Sequence, residues 1–354
     1  MTERVSTTRR DLIRLRLGLL GLTVVVLALS VWSFAATQSV LGTVRNQTAP
    51  AVLDVASARA ALMQAHSAAV SSFVHRGAQL VGPGEQYTTD LAVAQQDLAR
   101  AAGDNAAGPT GSAELQLIAG LLATYSDWMS QAGAHYPGTL SSTDLWYAAR
   151  SLYGDDQTLE HLNTLASSQR QELDQQLTEG WLNPLTVLAW ALPSLALLGL
   201  LVRTQQYLWR TFGRRFNPAL LGATVLLLAL IAATSTSLVL AGRAHTATAA
   251  LTTYVITSDK QSDAVSAAAQ HDLIALVRNG CAGSCGATVP TVPPFQTLTA
   301  TAPPPSAAAD ASAEFDSATD LGWLLVAIPV LALGIAALAL AGLQPRIDEY
   351  RYRS

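Results

Sequence analysis

Four stretches of this chain carry no charged residue over a length that spans a bilayer: Leu17–Thr37, Pro184–Val202, Ala219–Ala241 and Gly322–Leu343. A helix needs about 20 apolar residues to cross roughly 30 Å of hydrocarbon, because it rises only about 1.5 Å per residue. Half of the 354 residues are apolar and only 13% are charged, which fits a membrane protein better than a soluble one. The first stretch also ends near Ser33-Phe34-Ala35, a small-x-small pattern after an apolar core. It is read as a retained anchor, since it flows directly into further helix.

The arginines set the expected orientation, because cytoplasmic flanks keep an excess of Lys and Arg. Arg4, Arg9, Arg10, Arg14 and Arg16 precede the first stretch, Arg203, Arg210, Arg214 and Arg215 lie between the second and third, and Arg346, Arg351 and Arg353 follow the fourth. The two long connections are acidic instead, with 14 acidic against 6 basic residues in one and 7 against 3 in the other. The expected layout is a cytoplasmic N-terminus at 1–16 and spans at 17–37, 184–202, 219–241 and 322–343. Cytoplasmic segments are expected at 203–218 and 344–354, and extracytoplasmic domains at 38–183 and 242–321. The expectation is thus an all-α, multi-pass plasma-membrane protein with four transmembrane helices and both termini in the cytoplasm.

The first outer segment reads as helix throughout, rich in Ala, Leu, Gln and Glu with apolar positions three and four apart. Breakers divide it: Val81-Gly82-Pro83-Gly84, then Gly103-Asp104-Asn105 through Gly111, then Pro137-Gly138. Helices are expected from the membrane to about Gly77, over about Gln86 to Ala102, over about Ser112 to Ala134, and from a Ser142 N-cap onward into the second span. Two long and two short helices of this kind pack as a four-helix bundle. Its seam is visible at Leu145, Leu152, Leu159, Ala166 and Leu173, and at Val55, Leu62 and Ala69, each set repeating every seven residues. The second outer segment is expected to form a second helical hairpin, with a helix over about Gly242 to Asn279. A turn at Cys281–Cys285 follows, then a run with six prolines over Val289–Pro305 that favours an extended polyproline form. Membrane exit and turning glycine are about equally far apart in both halves, which suggests a duplicated unit whose second hairpin packs beside the uncovered parts of the long helices.

Few residues point to chemistry. Cys281 and Cys285 are expected outside, where a disulfide is permitted and a local staple is the simplest role; no metal site is expected, since the nearest histidine, His271, does not complete a paired set. Pro50 either starts a helix capped by Thr48 or marks a hinge, and Pro193 and Pro329 fall inside the second and fourth spans, where prolines either kink a moving part or sit in a static helix. The spans contain no ionisable residue of the kind that ion and proton pathways use; Thr234-Ser235-Thr236-Ser237 is a polar cluster suited to helix packing. Tyr87, Tyr136, Trp146 and Tyr147 gather at one end of the expected bundle, either as exposed anchors for a partner or as plugs of the bundle end. Arg76 and Arg150 are near the same end and have the fork geometry to hold a carboxylate. Together with Glu85 these form the candidate ligand or partner surface. The inward arginines Arg210, Arg214, Arg215 and Arg346 suit either a cytosolic partner or anionic headgroups. No phosphate loop or Ser/His/Asp set stands out, so neither a cofactor nor enzymatic activity is expected, and nucleic acid is not among the expected partners.

The segments Gln47-Thr48-Ala49-Pro50-Ala51-Val52, Leu80-Val81-Gly82-Pro83-Gly84-Glu85-Gln86-Tyr87, Asn183-Pro184 and Pro345-Arg346-Ile347-Asp348-Glu349-Tyr350 resemble the GlnX family of four-span actinobacterial membrane proteins. The bundle is also similar to the four-helix sensor modules of bacterial chemoreceptors. The GlnX resemblance implies a relay in which a solute-binding lipoprotein carries an amino acid outside, docks on the helical ectodomain, and the spans pass the change to a cytosolic protein kinase system. The acidic ectodomain fits that indirect route, since it repels free aspartate or glutamate. A homodimer is left open. The competing reading is a structural or accessory subunit of an envelope or export complex. An exporter permease fits less well, because the outer domains read as helical and no cytosolic coupling helix is present.

Overall fold

The computed structural model describes residues 5–75, 78, 82–178, 184–212, 218–281 and 324–349. Among these, regular structure is helical throughout. The elements are α1 (Val5–Thr43), a π-helical turn (Val44–Thr48), α2 (Ala49–Val74), α3 (Glu85–Gly103), α4 (Gly108–Ala134), α5 (Thr139–Tyr153), α6 (Thr158–Thr178), α7 (Pro184–Phe212), α8 (Pro218–Cys281) and α9 (Leu324–Glu349). Two compact units divide them. One holds the described residues of Met1–Gly42, Gln176–Thr246 and Glu314–Ser354; the other holds those of Thr43–Gln175 and Ala247–Ala313.

The first unit packs α1, α7, the first half of α8 and α9 around one apolar seam. Leu19, Val26 and Phe34 of α1 meet Leu197 and Leu201 of α7, Leu220, Leu227 and Leu230 of α8, and Ile328 and Ile335 of α9. Glycines permit close approach, since a Cβ on Gly334 would lie 2.9 Å from Leu226 Cδ1. The Trp190 indole donates to Ser30 Oγ at 3.0 Å, satisfying two polar groups inside the seam. The outer faces are apolar too: Leu17, Trp32, Leu192 and Val330 are all exposed. Helices apolar on every side are stable only inside a protein or in lipid. Among the described residues, three helical runs are long and apolar enough to cross a membrane, within Arg16–Val74, Leu188–Gln206 and Pro218–Thr236, and α9 contributes a shorter apolar stretch, Val326–Gly342. The chain is therefore a membrane protein. In the first run the uncharged part ends at Thr37, and α2 belongs to the second unit.

The second unit is a helical bundle with a single core. From α2 come Val55, Leu62, Ala69 and Phe73; from α4 Leu115, Ile118, Leu122, Tyr125 and Met129, at helical spacing. Helix α3 contributes Tyr87, Ala94 and Ala101 seven residues apart, small enough at the last two for tight packing. The heptad positions Leu145, Leu152, Leu159, Ala166 and Leu173 are all buried. They do not share one helix, however. Gly154 is extended (φ −66, ψ 165) and Asp156 has φ 57, so the expected long helix divides into α5 and α6. The new start is tied by Thr158 Oγ1 donating to the Ser151 carbonyl at 3.0 Å and by the Asp156 N–H donating to Glu160 Oε2 at 2.6 Å. Likewise α5 begins at Thr139 after Gly138 rather than at a Ser142 cap.

Of the second expected hairpin the first helix lies among the described residues, and its outer part falls in the same unit as the bundle. Residues 247–281 of α8 belong to this unit, and Leu273 and Val277 enter the same core as α2 and α4. The helix is recruited by charge as well as by apolar burial, as described below. At Pro50 the structure takes neither expected form in full. Thr48 is helical (φ −68, ψ −43) and makes no capping hydrogen bond, while Pro50 lies in the first turn of α2. The preceding residues widen into a π turn closed by the Ala49 N–H on the Val44 carbonyl. A proline lacks the N–H for a regular α turn and crowds the carbonyl four residues back; the wider turn accommodates both defects without ending the helix.

Candidate functional site

The loops at the α2–α3 end of the bundle are built by short-range bonds. His75 closes α2 through its N–H on the Ser71 carbonyl at 3.0 Å. Ser72 Oγ donates to the Gly82 carbonyl at 3.2 Å, and Gly84 has φ +101, a conformation that favours glycine. Between α4 and α5, the Tyr136–Pro137 peptide is cis, the Gly138 N–H meets the His135 carbonyl at 2.8 Å, and His135 Nδ1 pairs with Asp144 Oδ2 at 2.5 Å. Tyr136 packs edge-on to Phe73 with ring centroids 5.6 Å apart.

The end of α2, the α4–α5 loop, the start of α5 and α8 border an open groove of about 460 Å³. Its lining includes Phe73 and Tyr136, Ser141 and Ser142, and Asp272 and Asn279 of α8.

A second polar cluster centres on a buried arginine. The Arg59 side chain of α2 is only 10% exposed; one of its amino groups donates to Asp259 Oδ1 at 2.9 Å and the other to Asp263 Oδ1 at 2.7 Å. Arg170 of α6 approaches the other Asp259 oxygen at 3.6 Å. Nearby in sequence, His66 is fully buried, with Nδ1 3.3 Å from the Tyr125 hydroxyl and its ring edge-on to Tyr153 at 5.4 Å. Among the described residues His66 Nε2 has no hydrogen-bond partner. Burial lowers the His66 pKa to about 4, so the imidazole is neutral at physiological pH. Burial also raises the Tyr87 hydroxyl to about 12 and pushes those of Tyr125 and Tyr153 up, with Ser266 and Arg59 partly offsetting the shift at Tyr153. Asp54 is raised by burial, then by the Asp97 charge. Asp97 in turn is held by Ser57 Oγ at 2.6 Å and Arg100 at 3.0 Å.

The sequence-derived candidates separate. Tyr87 is a buried core residue, 6.3 Å from the Tyr125 ring, and offers no docking surface. Tyr136 lines the groove, and Trp146 is half-buried against the core. Tyr147 is 42% exposed and stacks on Trp128 at 5.0 Å, making it the aromatic of the set presented at the surface. Glu85 and Arg150 are exposed, at the first turn of α3 and the last turn of α5. Pro193 and Pro329 lie inside α7 and α9, and Arg210 and Arg346 belong to the same two helices. Arg76, Cys285, Arg214 and Arg215 fall outside the described residues; Cys281 ends α8, and no disulfide occurs among the described residues. Sequence reading missed Arg59, Asp259 and Asp263. A signal was present: two carboxylates four apart on one helix repel unless a cation from elsewhere joins them.

Residues 40–178 match the family model of an actinobacterial sensor domain. No curated protein and no solved structure matches the chain. The matched stretch runs from the end of α1 through α6 and leaves out α8, although the core of the same bundle includes α8 residues. The match supports a role in sensing or signalling.

Proposed function

We propose that the chain is a non-enzymatic transmembrane relay of the GlnX kind, with four spans, both termini in the cytoplasm and both long connections outside. Its helical ectodomain docks an extracytoplasmic solute-binding lipoprotein loaded with an amino acid, and the spans pass the resulting shift to a cytosolic kinase system. The observation that carries this reading is the sensor-domain match over residues 40–178. The exposed Tyr147, stacked on Trp128, supports docking through an aromatic anchor, since such rings dominate protein interfaces. Inward, Arg210, Arg214, Arg215 and Arg346 provide the basic surface that meets the kinase system or anionic headgroups. In this reading Pro50, with its π turn, and the prolines inside α7 and α9 are the places where helices yield during the shift.

The test is crosslinking and pull-down of the full chain from native membranes with amino acid present. Recovery of an extracytoplasmic solute-binding lipoprotein, reduced by Tyr147→Ala combined with Trp128→Ala, is the expected result. Failure to recover any such protein under these conditions counts against the relay.

A further inference from the structure

We propose that His161 is a proton-operated tether that fastens the turn between α5 and α6 to α4. This goes beyond the relay reading, since it gives the bundle a response to pH that needs no partner protein.

Both ring nitrogens of His161 face carboxylates from other parts of the bundle. Nδ1 is 2.9 Å from Glu114 Oε2 on α4, and Nε2 is 3.3 Å from Asp156 Oδ1 in the turn. A neutral imidazole carries one N–H and one lone pair, whereas the imidazolium carries two donors; an ionised carboxylate only accepts. Both approaches are therefore favourable only when the ring is protonated. In the neutral ring one carboxylate meets a lone pair, and burial decides which. The side chains of His161 and Glu114 are 14% and 22% exposed, so their bond is shielded, while that of Asp156 is 91% exposed. The neutral ring keeps its proton on Nδ1 for Glu114, and the Asp156 carboxylate turns to water at little cost.

The turn depends on what holds it. Asp156 has φ 57, a left-handed conformation that costs energy in any residue but glycine and persists where its surroundings fix it. Three contacts do so: the Asp156 N–H on Glu160 Oε2 at 2.6 Å, Thr158 Oγ1 on the Ser151 carbonyl at 3.0 Å, and the ion pair with His161. The third depends on the charge of an imidazole, the side-chain group that titrates between about pH 5 and 8. The tether is thus present at low pH and lost as pH rises. Among the described residues, Glu114 and Asp156 are the charged groups within ion-pair distance of the ring. Asp155 in the turn and Glu160 on the ring's own helix add negative charge nearby, which also favours the imidazolium.

The experiment is amide exchange of the full-length chain in lipid nanodiscs, read as protection factors at about pH 5.5 and about pH 8, both above the ordinary carboxylate range. Protection over residues 154–158 is expected to fall about two- to fivefold between the lower and the higher pH, the scale of an exposed ion pair. His161→Gln keeps a donor for Glu114 but does not titrate, and Asp156→Asn removes the charge while tolerating the left-handed backbone. In both variants the difference between the two pH values is expected to vanish. Equal protection of the parent chain at both pH values, or a parent-like difference in either variant, would overturn the proposal. Because no lipoprotein is present, each of these results leaves the pull-down test of the relay unaffected.

Discussion

Arg59 of α2 donates to Asp263 of α8 at 2.7 Å although 204 positions separate them in the chain. This contact, with its companion to Asp259, joins a helix of the matched sensor segment to one supplied by the second long connection. Removing the arginine leaves two carboxylates four residues apart without their main counter-charge. Arg59→Met is expected to cost roughly 2–3 kcal/mol, below the usual loss for breaking a fully buried pair because Asp259 and Asp263 are partly exposed. Thermal unfolding of the full chain reads the loss, and amide exchange should rise selectively over residues 255–277. Arg59→Lys should recover part of it, since one ammonium cannot reproduce the two-pronged geometry.

His66 predicts an acid-sensitive bundle. Its pKa is lowered from 6.5 to about 4 in the fold, so the unfolded chain takes up a proton before the folded one does. Stability from this group is complete above pH 6.5 and is lost as pH falls toward about 4, by on the order of 3 kcal/mol. His66→Phe should flatten the pH dependence of the melting temperature in that window. An unchanged slope would show that other groups dominate it.

Leu152 and Leu140 provide a matched pair of truncations on α5. Leu152 is fully buried in the core, whereas Leu140 is 60% exposed. Leu152→Ala should cost about 2–5 kcal/mol through lost burial and the cavity left behind. Leu140→Ala should stay within about 0.5 kcal/mol. Denaturant unfolding of the two variants checks the difference.

Gly111 tests the α3–α4 turn. A Cβ there would overlap the Asn105 amide. That amide donates to the Gly108 carbonyl at 2.7 Å and accepts from the Ala107 N–H and from Gln169, itself fully buried on α6. Gly111→Ala should therefore cost about 1–3 kcal/mol by dislodging a buried polar network, against the usual gain from replacing glycine in a helix. A melting temperature equal to or above that of the parent chain would show that Asn105 moves aside freely.

Much of this was legible in the residues because the signals were local. Uncharged stretches announced membrane helices, and Gly-Pro clusters marked the turns near 82–84, 103–111 and 137–138. The seven-residue repeat found the core positions correctly but hid a break: Gly154-Asp155-Asp156 is a turn signal, and the repeat continued in step across it. Tyr87 and Tyr147 show the limit of reading a site this way. The same residue type near the same expected bundle end is buried in one case and exposed in the other, because orientation around a helix axis depends on which neighbours pack against it.

By itself the amino-acid sequence determined that the chain is helical, that its charge-free helices belong in lipid, and where the turns of the first long connection fall. Each of these follows from hydrophobic period, helix propensity and breakers acting over a few residues. Only the tertiary structure decided that residues 247–281 join the core of the helical bundle, that Arg59 meets Asp259 and Asp263, and that Phe73, Tyr136 and Asp272 line one groove. Those pairings join segments far apart in the chain, and they depend on the packing of whole helices, which no local pattern specifies.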